Sequence, residues 1–175
     1  LENFGLISPL HSNIFNTNQK LLNIGVTKVN SVMTSGNLLS LEAYKNVGGF
    51  NESFFIDYVD IEYCLRLQSN NYNVYRLNNV VLRHNEANIS EVKIFTWKFY
   101  PTNNTPNRLY YKTRNLFYLR KMYSRVYQKI LREEYSVFIR NLIKIFLFES
   151  QKILKFKMTL LGFLDYFKGK TGRKF

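Results

Sequence analysis

Short apolar runs broken by polar clusters fill the first 107 residues, and a longer three-to-four-residue periodicity takes over from there. VNSVMTSGNLLS, residues 29 to 40, reads as a short strand, a turn at Ser35-Gly36-Asn37 and a second extended piece. Ser40 is placed to cap a short helix, LEAYKNV, and Gly48-Gly49 supplies the left-handed residue that ends it. Residues 59 to 69 carry Ile61, Cys64, Leu65 and Gln68 at helical spacing, with Asn70-Asn71 as the stop. Two short strands follow, YNVYRL and NVVLRH, separated by Asn78-Asn79, and His84 lies at the end of the second.

The polar stretch PTNNTP closes this body, with Thr105 as N-cap and Pro106 at the first position of a new helix. Tyr110, Phe117, Tyr123, Tyr127 and Ile130 then recur at helical intervals, interleaved with Lys112, Arg114, Lys121, Arg125 and Lys129. The pattern predicts an amphipathic helix with a cationic face. A second such helix is predicted over residues 135 to 161, and residues 162 to 175 form a basic, glycine-punctuated end. No internal repeat is visible.

Composition limits what such a chain does. Its 175 residues, 46% apolar and 17% aromatic, suffice for one packed domain or one domain with an appendage. A single cysteine, Cys64, excludes an internal disulfide and a cysteine metal site, and fits a reducing cytoplasm. The net charge of +13 is unevenly spread: residues 1 to 107 hold eight bases and eight acids, whereas residues 108 to 175 hold seventeen and four. A neutral body followed by a basic segment points to an anionic partner, membrane surface or nucleic acid, with a solvated helical exterior as the plain alternative. The most apolar stretch of that segment, VFIRNLIKIFLF, is interrupted by Arg140 and Lys144, so no bilayer-spanning run is expected. The sequence starts at Leu1 without a signal peptide, and the expectation is a fragment lacking its natural N-terminus.

The densest chemistry lies in FFIDYVDIEYCLRLQ, residues 54 to 68, where Asp57, Asp60 and Glu62 sit among aromatic and aliphatic neighbours. Acids in a helix's first turn complement the positive end of its dipole, which is one reading of Asp60 and Glu62. The other begins from the apolar run that leads into them. A strand end opening onto a helix is where ligands bind in open α/β sheets, and a carboxylate fixed there takes a proton from a hydroxyl nucleophile.

TSGNLLSLEAYKNVGGFNESFFIDYVDIEYCLRLQSNNY resembles the C-terminal half of a family 2 glycosyltransferase catalytic domain, in its rhamnosyltransferase-like branch. The likeness includes the small-residue segment Thr34-Ser35-Gly36-Asn37, the turn Gly48-Gly49-Phe50 and the acidic segment ending in Cys64-Leu65-Arg66. It continues into RLYYKTRN, residues 108 to 115, similar to an R-x-Y-Y-x-x-R-N segment of that branch, and covers roughly residues 5 to 120.

The resemblance implies an α/β chain: a partial GT-A fold, built around a mostly parallel sheet and lacking its nucleotide-binding half, followed by basic amphipathic helices. It implies a division into residues 1 to 107, the acceptor-side part of the catalytic domain, and residues 108 to 175, the helical extension. Asp60 falls on the proposed catalytic base, with Val59 in place of the acid before it, and Glu62 on a second acidic position. Glu62 then either hydrogen-bonds the acceptor or orients Arg66, while Asp57 faces solvent at a turn. Thr34, Ser35, Gly36 and Asn37 line the sugar or acceptor pocket, with Arg66 beside them. Arg108 and Arg114 reach a diphosphate or an anionic lipid carrier, or remain solvated charges.

The family's D-x-D motif is absent, and GLISPL, residues 5 to 10, resembles the segment that follows it. Magnesium or manganese is therefore expected in the full-length enzyme with most ligands missing here. His84 is the candidate metal ligand, although the glycine-containing turn usual after it is replaced by Asn85-Glu86-Ala87. The implied activity is inverting transfer of a sugar from a nucleotide-sugar donor to a saccharide or lipid-linked acceptor, in bacterial cell-surface polysaccharide biosynthesis. The implied location is the cytoplasmic face of the membrane, peripherally bound through the basic helices, without nucleic acid. The isolated fragment is expected to be inactive. The alternative reading is a non-catalytic basic module that binds an anionic membrane or nucleic acid.

Overall fold

The computed structural model describes residues 2–12, 25–83 and 89–175. They fall into two compact units. The first holds β1 (Phe4–Ser12), β2 (Val26–Lys28), β3 (Leu38–Leu39), α1 (Leu41–Val47), α2 (Val59–Ser69) and β4 (Asn73–Arg83). The second takes in Glu52–Tyr58 and the rest of the described chain: β5 (Val92–Ile94), β6 (Trp97–Phe99), α3 (Pro106–Tyr123), α4 (Gln128–Phe148) and α5 (Lys152–Phe167). The helical unit thus recruits seven residues that run into the start of the acidic stretch, and it extends further than the basic segment from Arg108 alone.

In the first unit the strands order β2-β4-β1-β3. β1 runs parallel to β4 and antiparallel to β3, and β2 is antiparallel to β4, so the sheet is mixed and not mostly parallel. Leu6, Ala43, Tyr63, Cys64, Leu67 and Val74 form the core between sheet and helices. The two strands expected around Asn78-Asn79 are one. Pro9 pairs with Leu77 but Leu10 with Val81, which leaves residues 78 to 80 bulged out of the ladder. Asn78 makes the irregularity tolerable, because its backbone N–H donates to Gly25 O and its side-chain amide to Thr27 Oγ1. α1 is capped as the sequence predicts: Ser40 Oγ accepts from Ala43 N, and Gly48 at φ 83° donates to Tyr44 O.

In the second unit α3 starts at Thr105, whose hydroxyl accepts from Arg108 N, with Pro106 as first residue. Gly162 of α5 lies against the Tyr110 backbone and the Thr113 side chain, a close approach that any larger residue blocks. Tyr110 and Tyr111 of α3 and Met158 of α5 form the core there. The single helix expected over residues 135 to 161 is broken into α4 and α5. Neither glycine nor proline breaks it. Glu149 leaves the helix with ψ 159°, and its buried carboxylate accepts from Asn103 N at 2.9 Å and from Lys155 Nζ at 2.7 Å. Gln151 then takes a left-handed φ of 56° to begin α5.

Candidate functional site

Asp60 is the second residue of α2 and lies half-buried in its first turn. Its Oδ1 accepts a 2.8 Å hydrogen bond from Thr34 Oγ1, which joins the acidic helix to the TSGN segment 26 residues away in sequence. Two further bonds follow from the same face of the helix. Cys64 Sγ lies 3.9 Å from Val32 O, and Gln68 Nε2 donates to Asn30 O at 2.7 Å. Helix positions 60, 64 and 68 therefore meet loop positions 34, 32 and 30. The match is metric: four helical residues rise about 6 Å and two extended residues about 6.6 Å, so a one-turn step on α2 keeps pace with a two-residue step along the loop. Burial pushes the Cys64 thiol up to about 12, which makes it an inert part of this ladder, not a nucleophile.

Beyond Thr34 the loop turns through Ser35 and Gly36. Gly36 sits at φ 70°, and a Cβ there meets Leu82 Cδ2 at 3.0 Å, so both conformation and space call for glycine. Asn37 Nδ2 donates to Met33 O at 2.7 Å, closing the turn, while Asn37 Oδ1 is buried with no hydrogen-bond partner among the described residues. His11, at the end of β1, brings Nε2 to 2.8 Å from Ser35 O, where a protonated Nε2 donates. Neither the ladder nor His11 was evident in the sequence, because the loop's two-residue period is too short to register as an element.

Glu62 is 1% exposed and turned away from solvent. Its two carboxylate oxygens accept from Arg66 Nε at 3.1 Å and Nη2 at 3.0 Å. Arg66 also donates to Val47 O and Gly49 O, so the pair fastens the end of α1 and the GGF turn to α2. Of the two roles the sequence allows Glu62, the geometry carries the orientation of Arg66.

Asp57, Arg108 and Arg114 belong to the second unit. Asp57 does not face solvent: it is largely buried, accepts from Arg108 Nε and Nη2 at 3.0 to 3.1 Å, and lies 3.9 Å from Lys112 Nζ. Arg114 is fully buried, stacked near the rings of Tyr110 and Tyr111, with its guanidinium N–H groups on the carbonyls of Ser53, Phe54 and Gly172 and on Asn115 Oδ1. Asn115, unremarked in the sequence beyond its place in the motif, donates to the carbonyls of Phe54, Ile56 and Asp57. RLYYKTRN is thus the face of α3 that grips residues 53 to 57. Phe55, Asp57 and Tyr58 all hold positive φ, between 62° and 64°, a conformation costing about 1 kcal/mol each for such residues.

His84 lies outside the described residues. Among the described residues no three His, Cys, Asp or Glu side chains converge as a metal site, and Asp57 and Glu62 are already paired with arginines. No helix among the described residues is long and apolar enough to cross a membrane.

Comparison with known proteins relates the chain to a sugar transferase. The chain is 33% identical over 146 residues, 83% of its length, to dTDP-rhamnosyl transferase RfbF of Shigella flexneri. It spans about half of that protein, 48%. The similarity relates the chain to a glycosyltransferase. No protein-family model matches, nor does any solved structure.

Proposed function

We propose that this chain is the acceptor-side part of an inverting, nucleotide-sugar-dependent glycosyltransferase of the family 2, GT-A type. The observation that carries the reading is Asp60, held by Thr34 beside the Ser35-Gly36-Asn37 turn. An acceptor hydroxyl must lose its proton as it attacks the sugar carbon, and a carboxylate with one oxygen pinned and the other available performs that transfer. In this mechanism Asp60 Oδ1 stays on Thr34, Oδ2 takes the proton, the new glycosidic bond forms opposite the departing nucleoside diphosphate, and the anomeric centre inverts.

Glu62 and Arg66 position the site; of the two arginines of α3, Arg108 is the more exposed and the one able to meet an anionic substrate group, while Arg114 is buried. The relative's name supports a donor of the dTDP-rhamnose kind. A divalent cation at the diphosphate belongs to residues outside those described. The acceptor is a saccharide or lipid-linked saccharide presented at the inner face of a bacterial membrane. The alternative of a non-catalytic basic module is less well supported, because similarity over 146 residues reaches well beyond the 68-residue basic segment.

The test is Asp60→Asn in the complete protein. Donor binding by calorimetry is expected to remain, while transfer falls by about a hundredfold or more, the ordinary weight of a general base. Near-normal transfer by the variant removes Asp60 from that role.

A further inference from the structure

Ile153, Phe156, Leu160, Leu164 and Phe167 recur at three- and four-residue steps along α5, and all five are exposed, from 43% for Leu164 to 75% for Ile153. At 100° per residue they fall within an arc of about 80°. The opposite side of α5 carries Met158, Gly162 and Asp165, which are buried and contact α3. The helix therefore already has its core face, and this second apolar face is additional to it. Soluble surfaces seldom keep so continuous an apolar stripe without something to cover it.

The margins of the stripe say what covers it. Lys152 lies along one side and Lys157 and Lys168 along the other, all exposed. At the N-terminal end Lys152 Nζ stands 5.8 Å from the ring centroid of Phe146 in α4, itself 72% exposed, which lengthens the apolar surface past the corner. From residue 135 to 175 the acids are Glu149 and Asp165 alone. Both side chains are at most 1% exposed and are paired with Lys155 and with Lys170 and Lys174. No carboxylate is left on the surface of α5, or of α4 from residue 135 onward, to repel an anion.

We propose that this face of α5 is an interfacial anchor, lying in the plane of a bilayer that contains anionic lipid. The five apolar side chains enter the boundary between headgroups and acyl chains, and the flanking lysines extend to the phosphates while their stems cover the edge of the stripe. Charge argues against the two other occupants such a stripe admits. A second copy brings two rows of lysines together, and a nucleic acid answers the lysines but leaves the five apolar side chains in water. The purpose of the anchor rests on the reading of the chain as an enzyme with a lipid-linked acceptor. Its test does not, since lipid binding is measured without donor or acceptor, and failure of either reading is seen separately.

The experiment floats the 175-residue chain with vesicles of phosphatidylcholine, pure or mixed with phosphatidylglycerol. The chain is expected to float with the mixed vesicles and to be released by salt. Phe156→Ser with Leu160→Ser should lower the partition by about tenfold or more, as the loss of two inserted side chains implies. Lys157→Gln with Lys168→Gln should weaken it and blunt its salt dependence. All four positions are exposed, and circular dichroism checks that the helices remain. Three results overturn the proposal: no flotation with anionic vesicles, flotation unchanged by the serine pair, or a dimer in sedimentation that the serine pair dissociates while leaving flotation intact.

Discussion

Thr34 and Asp60 form a bond that neither residue's own element requires. α2 would begin without it, because a first-turn carboxylate already meets the positive end of the helix, and the loop would turn without it through Gly36 and Asn37. What the hydroxyl adds is a fixed direction for the carboxylate. Thr34→Val keeps the shape and removes the donor, so in the complete protein the Asp60 carboxylate loses its fixed direction. Transfer should fall about tenfold, with a stability loss of about 1 kcal/mol, and Thr34→Ser should restore both. Unchanged transfer by the valine variant would separate Thr34 from the chemistry. At this scale the sequence exposes Asp60 well, since an acid in an apolar frame stands out. It hides Thr34's role, because a side-chain bond across 26 residues leaves no periodic trace.

Elements with local signals were legible, and those decided by distant contacts were not. α1, α2 and the start of α3 follow from Ser40, the apolar spacing of residues 59 to 69, and Thr105-Pro106. The break between α4 and α5 depends on Glu149 meeting Asn103 N, 46 residues earlier, and the joined strand β4 depends on β1 and β2 accepting a bulge. The grip of α3 on residues 53 to 57 belongs to the same class, and Asn115 is its least replaceable part. One amide group, with two N–H donors, lies within hydrogen-bond distance of three carbonyls of a segment that contains left-handed Phe55 and Asp57, and those of Ile56 and Asp57 depend on it most, since Phe54 O also accepts from Arg114 and from Ile56 N. Asn115→Ala should cost about 3 kcal/mol in chemical denaturation, since it leaves buried carbonyls unpaired. Asn115→Asp, equal in size but unable to donate from that group, should cost at least as much. If either variant denatures like the parent, the grip contributes nothing to stability.

Across the whole molecule the excess of +13 is placed against very few buried acids, and the C-terminal unit shows how such a charge is tolerated. Asp165 is 1% exposed; it accepts from Tyr110 at 2.9 Å and Lys174 at 2.6 Å, with Lys170 at 3.5 Å. Burial pushes its carboxyl up, but the hydrogen bonds from Lys174 and Tyr110 and the charges of the two lysines outweigh it and hold the group below the usual carboxylate range. Because the folded value lies below the unfolded one of about 3.9, the stabilisation is complete at neutral pH and is lost as pH falls through the folded value. The chain end is tied down through the same place, with Tyr111's hydroxyl accepting from Lys174 N and Phe175 N and Arg114 donating to Gly172 O. Acidification below about pH 4 should therefore lower the melting temperature and, by removing a counter-charge to clustered lysines, loosen the last residues. Asp165→Asn should reproduce the loss at neutral pH, with faster tryptic cleavage at Arg173 and Lys174, and should show a shallower fall in melting temperature between neutral and acid pH than the parent. Equal slopes for the two proteins would mean that the acid sensitivity of this basic chain arises from other carboxylates.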